Sequence, residues 1–372
     1  MSSAQDNSRI ALVLSGGGVR AMVFHLGVLR HLAERGALEQ VHRLSSVSGG
    51  SLLVGLILQS TGMRWPGSAE FLSATYPALR DKLCGSSLQW AAARQLLNPL
   101  NWRFALSRAN LLALALRKHW GVKAKLADLP SMPEWSINGT TAETGRRFRF
   151  KPESIGDYQL GYAHPGEFPL ASALAVSAAF PGGFGPLALA ASRFVWKKRP
   201  AWDSSPESAQ PVDIGFHRLH LYDGGVYDNL GLEPYFDAGN GAPKHNGLFI
   251  LVSDAGAPLP TGFAHGVMSP WRLKRVADIM SEQARALRVR TFISYLQRMP
   301  GAGAYVYIGT PNAVGGSVES RQHPAHFPTT LRRLSCAEFD HLADHGYQVA
   351  AAIADEHAVR SALVDSEAEG AP

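Results

Sequence analysis

The chain has 372 residues, 46% of them hydrophobic, and a formal net charge of +6, which suits one large domain or two small ones with a sizeable buried core. Its two cysteines, Cys84 and Cys336, lie far apart and form no CxxC pair, which excludes a disulfide framework and a cysteine-rich zinc site. The basic balance suits an anionic surface, but no finger spacing, RNP-like string or basic helix accompanies it, so nucleic acid is not an expected partner.

The start is polar, without the charged and apolar pattern of a signal peptide. No apolar run approaches the roughly 20 residues that cross a bilayer. The expected location is therefore cytoplasmic or peripheral to a membrane. Residues 1–7 and 365–372 read as flexible ends around a single domain over 8–360.

Ile10 to Ser15 is an aliphatic run that stops at three glycines, as a buried strand does. Met22 to Glu34 carries Val23, Leu26, Leu29 and Leu32 at helical spacing, and Gly36 ends it. His42 to Val47 reads as a second strand and Ser51 to Gln59 as a buried helix. Two β-α units in succession predict a parallel sheet covered by helices. Trp90 to Trp120 is rich in tryptophan, leucine and arginine and has no acidic residue. It reads either as an interfacial helix or as a helical cap, an insertion over about 86–121. Trp135 to Thr140, Leu219 to Asp223, Gly247 to Val252 and Ala304 to Ile308 are further strand candidates. Ser192 to Asp213 and Thr310 to Thr330 have loop chemistry. Arg272 to Leu296 and Glu338 to His357 read as long helices.

The chemistry concentrates in three strings. Ser46-Val47-Ser48-Gly49-Gly50 follows a strand and precedes a helix, the setting of a nucleophile elbow, where small residues let a serine stand exposed on a sharp turn. A serine helix cap is the bland alternative. Gly16-Gly17-Gly18-Val19-Arg20-Ala21 lets several backbone N–H groups face one way at a helix N-terminus, as a tetrahedral oxyanion requires. The same string fits a dinucleotide fingerprint, but the acidic residue expected about 20 positions on is missing. Arg20 is unusual at a helix N-terminus, which points to a placed role, clamping a phosphate or bracing the loop. Asp223-Gly224-Gly225 puts a carboxylate at a strand end with uncrowded neighbours, although Asp-Gly turns are common.

Together these strings resemble the patatin-like phospholipase family, with Ala175 to Pro186 similar to a further block of that family and Asn138 to Phe150 to its strand pair. The likeness runs from about Ile10 to Tyr307. Ser46 and Ala21 stand where the family more often has glycine. The resemblance implies a three-layer α/β/α fold with a mainly parallel central sheet. It also implies hydrolysis of fatty acyl esters in phospholipids or related lipids by a Ser48–Asp223 dyad. Gly16, Gly17, Gly18 and Gly49 would form the oxyanion hole, with Arg20, Gly224 and Gly225 in support. No cofactor or metal is implied. A peripheral contact with an anionic membrane is a further partner that the charge permits. Two other readings stay open: a lipid-binding protein with little turnover, and a nucleotide-binding α/β protein. A histidine third member at His245, His265 or His326 sits in no recognisable motif, while His217 and His220 are placed to border the site. His341 and His345 read as solvated surface histidines, without the glutamate of a zinc motif.

Overall fold

The computed structural model describes residues 9–104, 107–181, 184–201, 204–263, 266, 268–269, 271–311 and 323–369. The first units are β1 (Arg9–Leu14) with α1 (Gly18–Glu34) and β2 (Val41–Ser46) with α2 (Gly49–Ser60). Helices α3 (Tyr76–Gly85), α4 (Leu88–Arg94) and α5 (Arg108–His119) follow. Next come β3 (Glu134–Thr141), β4 (Arg146–Phe150), β5 (Ile155–Asp157), β6 (Gly161–Ala163) and α6 (Leu170–Ser177). Strands β7 (Leu187–Ala190), β8 (Trp196–Lys198), β9 (Gln210–Pro211) and β10 (Arg218–Asp223) precede β11 (Leu248–Asp254). The chain then forms α7 (Trp271–Arg298), β12 (Gly303–Tyr307) and α8 (Cys336–Glu369).

Strands β12, β11, β1, β2 and β3 lie side by side and parallel. Beyond β3 the sheet continues through antiparallel β4, β5, β6, β8 and β9. Period-2 alternation in β1 explains the layers. Leu12 and Leu14 join α1, α2 and α8 in the larger core, whereas Ala11 and Val13 meet Phe292 and Tyr295 of α7 on the other face. The result is an α/β/α sandwich.

One topological feature positions the site. β2 ends against β3 with Ser46 opposite Ile137. β10 approaches along the same edge of β3 from the opposite direction and ends with Asp223 opposite Gly139. The two strand ends therefore meet head-on, with only Asn138 of β3 between their registers.

Three readings of the sequence change here. Residues 192–213 hold β8 and β9 rather than loop alone. The last helix runs on to Glu369, so 365–369 continue α8. His345 is a buried residue whose Nε2 pairs with the Ile308 carbonyl at 2.7 Å, not a surface histidine. Its environment comes from β12 and α1, which local spacing does not reveal. Residues 1–7 lie outside the described residues. Among the described residues, no helix is long and apolar enough to cross a membrane.

Helices α1 and α8 pack at backbone contact. A methyl on Gly27 would fall 1.9 Å from the Ala343 carbonyl oxygen, and one on Gly346 would fall 2.1 Å from that of Phe24. Neither helix can yield without shifting a backbone. Gly27→Ala is expected to lower unfolding free energy by about 2–3 kcal/mol. Gly85→Ala, whose methyl meets nothing within 4 Å, should leave it nearly unchanged. Denaturant titration checks the pair, and equal midpoints would disprove the contact.

Candidate active site

Ser48 sits between β2 and α2 with φ 49° and ψ −115°, a conformation that costs a non-glycine residue on the order of 1–3 kcal/mol. The turn is held from outside. Ser48 N–H lies 3.0 Å from the Ser177 carbonyl oxygen and 3.1 Å from the Ser177 hydroxyl. Ser177 Oγ in turn donates to the Asn138 carbonyl at 2.7 Å. Gly49 is required by crowding, because a methyl there would lie 2.2 Å from the Gly18 carbonyl oxygen.

The two departures from the family pattern are accommodated. Ser46 is the last residue of β2, not a left-handed position. Its hydroxyl accepts from Trp135 Nε1 and bonds Ser51 Oγ, both at 2.8 Å. The Ala21 methyl packs at 3.1–3.2 Å from the points where methyls on Gly49 and Gly17 would stand.

The glycine loop passes directly over the elbow. A methyl on Gly16 would touch Ser48 Cβ at 3.2 Å. Gly17 and Gly18 adopt φ 143° and 61°, which glycine tolerates best. The Gly16 N–H is already given to the Asn229 carbonyl at 3.0 Å, and Val19 N–H to Thr330 at 2.9 Å. Gly16 therefore serves as space rather than as a donor, a correction to the sequence reading. Among the described residues, the N–H groups of Gly17, Gly18 and Gly49 have no protein acceptor. Gly18 and Gly49 open helices α1 and α2, where free N–H groups and positive potential coincide.

Arg20 is buried beside the glycine loop, its Nη2 3.1 Å from where a methyl on Gly17 would stand. Its Nε donates to the Ala255 carbonyl at 3.2 Å and its Nη1 to that of Phe327 at 2.7 Å. Of the two roles its position suggested, these bonds are those of a brace. Beneath the loop, buried His25 bridges Ser253 Oγ at 2.7 Å and the Ser15 carbonyl at 3.0 Å. Burial pushes its pKa down to about 4, so it is neutral near pH 7.

Asp223 reaches the same space from β10. Its carboxylate accepts from Gly225 N–H at 2.7 Å and lies near enough to the Ser48 hydroxyl for that group to favour its charged form. A methyl on Gly224 would strike the Asn138 carbonyl at 2.5 Å, so this glycine allows β10 to close on β3. The histidines stand elsewhere. His220 pairs with Glu143 at 2.7 Å, His245 with Arg43 at 3.1 Å, and His217 lines a separate groove beside Phe194 and Phe216. His265 lies outside the described residues.

Several residues here carried no sequence signal of their own. Ser177 lies in the Ala175 to Pro186 string and Asn138 begins the strand-pair string, yet neither string distinguishes them from neighbours. Asn229 follows the Asp-Gly-Gly motif and wedges its Oδ1 against Gly16 and Gly225.

A model described as patatin-like phospholipase matches residues 12–235. No curated protein matches the chain. Among solved structures, human GIVD cytosolic phospholipase A2 is similar with a TM-score of 0.52 at 15% identity, covering 92% of this chain and 58% of that one. The same human enzyme in complex with methyl gamma-linolenyl fluorophosphonate gives 0.53 at 16% identity, covering 96% and 60%. VipD from Legionella pneumophila is similar at 0.37 and 15% identity, covering 94% and 67%. The chain spans about three fifths of the length of the human enzyme, and at such identities that likeness is one of fold.

Burial pushes the Asp223 carboxyl up to about 7, against the opposing pull of the Gly225 amide and the Ser48 hydroxyl. The sign for stability follows. The folded state keeps this proton between the unfolded value of 3.8 and about 7, so the carboxyl's contribution to stability falls as pH rises through that window. Above it, the buried charge costs on the order of a few kcal/mol. Asp223→Asn is neutral and of equal shape. It should melt a few degrees above the wild type at pH 8, roughly as such a cost implies, with the gap closing near pH 5. Scanning calorimetry at both values tests this, and a variant less stable at pH 8 would contradict the burial cost.

Proposed function

Because the chain belongs to the patatin-like phospholipase family, we propose that it is a serine hydrolase of fatty acyl esters in phospholipids, with Ser48 as nucleophile and Asp223 as base. Asp223 takes the hydroxyl proton as Ser48 Oγ attacks the ester carbonyl carbon. The resulting oxyanion is met by the N–H groups of Gly17, Gly18 and Gly49. Collapse of this intermediate breaks the ester C–O bond, and Asp223 returns the proton to the leaving alcohol. A water then gives its proton to Asp223 and attacks the acyl-serine, which releases the fatty acid and restores the hydroxyl.

The supporting observation is that two strand ends bring a strained serine beside a buried carboxyl, which burial pushes up to about 7. An aspartate at its ordinary value would be a weak base at neutral pH, whereas a matched one combines the correct protonation state with proton affinity. The reading requires a fluorophosphonate probe to label the wild type and not Ser48→Ala. Hydrolysis of phosphatidylcholine should fall by about 10³-fold or more in Ser48→Ala, and the wild-type rate should climb with pH through about 7. Labelling that persists in Ser48→Ala would end it.

Contact with an anionic lipid surface is part of the same proposal. Trp90, Leu97, Leu100 and Trp102 are 68%, 82%, 76% and 64% exposed. Between residues 82 and 127 the chain has eight lysines and arginines and no acidic residue. Among the described residues, Arg94, Arg117 and Lys118 make no ion pair. Apolar and cationic groups together suit a headgroup layer. The patch is tied to the site, since Gln89 N–H donates to Leu331, the neighbour of the Thr330 that holds Val19. Leu106, in the same stretch, lies outside the described residues. Leu97→Glu with Trp102→Glu is expected to weaken binding to phosphatidylcholine–phosphatidylglycerol vesicles about tenfold or more, while hydrolysis of a water-soluble ester is kept. Undiminished co-sedimentation would remove this surface from the proposal.

A further inference from the structure

A second cavity, of about 330 Å³, lies on the sheet face that carries Arg147 and Arg149 of β4. These residues are two apart, so their side chains leave the strand on one face, with backbone origins about 7 Å apart. Phe148 and Phe150 fill the core on the other face. Arg43 and Lys151 also line the cavity, against Glu134 as its single carboxylate.

That carboxylate is already committed. It pairs with Lys151 and, at 3.5 Å, with Arg43. Glu233, the next acidic group, pairs with Lys244 at 2.7 Å. The Asp228 carboxylate accepts from Leu230 and Glu233 N–H groups and has Arg288 at 3.7 Å. Among the described residues, no carboxylate lies within ion-pair distance of Arg147 or Arg149. Arg147 gives one N–H to the neutral Asn138 Oδ1 at 2.9 Å. Arg149 stacks on Tyr162 at 4.0 Å, and its buried Nε has no partner. The two guanidiniums repel each other, and burial and that repulsion lower the pKa of Arg147 despite the opposing pull of Glu233 and Asp228 at longer range.

Arg147 and Arg149 are half-buried, and two such guanidiniums side by side, with no ion-pair partner and with unused forks, make a cradle for a bridging anion. We propose that this cavity binds a phosphomonoester, with the phosphate held between Arg147 and Arg149. A phosphomonoester brings a charge of about −1.5 to −2 at neutral pH, which matches two unpaired guanidiniums better than a carboxylate would. The volume lies at the lower end of small-molecule sites, about 300–1,000 Å³, and leaves room for a small group on the phosphate. The phosphate stands one hydrogen bond from Asn138, at the back of the Ser48 turn. The site is independent of the hydrolase proposal.

The test uses the Ser48→Ala protein, so that turnover plays no part. Calorimetric titration with inorganic phosphate and glycerol 3-phosphate, at ionic strength held constant with potassium chloride, covers free ligands. Co-sedimentation with phosphatidylcholine vesicles, with and without phosphatidic acid, covers a lipid headgroup. Saturable binding to at least one phosphate probe is expected, weakened about tenfold or more by Arg149→Gln and by Arg147→Gln. Loss of free-ligand binding in the variants assigns a soluble phosphoester, and loss of phosphatidic acid binding alone assigns a headgroup. Arg147→Gln also removes the bond to Asn138, so Arg149→Gln, checked for folding by circular dichroism, decides the matter. No saturable binding to any probe, or full binding by folded Arg149→Gln, overturns the proposal.

Discussion

Two strand ends that meet head-on along one edge of β3 are the constraint on which the site depends. β2 delivers Ser48 just past its end, and β10 delivers Asp223 at its own, with one β3 residue between them. A parallel neighbour continuing in the place of β10 would carry a carboxylate away from the turn. The antiparallel approach brings it back. Residues 175 positions apart are thus joined by sheet register rather than by loop conformation, and rigid elements hold geometry more closely than loops do.

Asp223 is a costly group to place there. It is 3% exposed, with the Gly225 amide as its bonded partner and the Ser48 hydroxyl close by. More donors would stabilise its charge and lower its pKa; fewer would leave it protonated well above neutrality. The strained Ser48 backbone is a second local cost, and both are borne by a sandwich whose two faces are filled with apolar side chains. Local strain of this kind persists only where the surroundings over-determine it. The tight α1–α8 contact and the Arg20 brace are two such surroundings, one fixing the helix behind the glycine loop and the other fixing the loop to Ala255 and Phe327.

The parallel core was legible because its signals are local. Ile10 to Ser15, His42 to Val47 and the helices after them carry their own periodicity and their own glycine stops. Ser48, Asp223 and the glycines were legible because each sits in a string whose small residues have a steric reason. What was not legible depends on partners distant in the chain. Ser177 matters because it receives the Ser48 N–H across 129 positions. Asn229 matters because its carbonyl takes the amide of Gly16, which is also why a glycine counted as a donor proves to be a spacer. His345 was misread for the same reason, since an i,i+4 histidine pair says nothing about the Ile308 carbonyl, just past β12, that one of them meets.

The polar residues around the turn form one closed set. Ser45, Ser46, Ser51, Ser177 and Asn138 are all buried. Asn138 Nδ2 bonds Ser45 Oγ and the Ser46 carbonyl, while its own carbonyl takes the Ser177 hydroxyl. Apolar side chains of similar size would pack this space at less desolvation cost. They would also permit more than one arrangement, because packing contacts are not directional. A fully satisfied buried network admits one arrangement, since any other leaves a donor or acceptor unpaired. That directionality suits a turn that must hold a disfavoured φ while keeping the Ser48 side chain beside Asp223. Asn138 belongs to both systems, with its amide nitrogen toward the elbow strand and its oxygen toward Arg147. A change in the charge balance at Arg147 therefore meets the elbow through a single side chain whose every polar atom is already engaged.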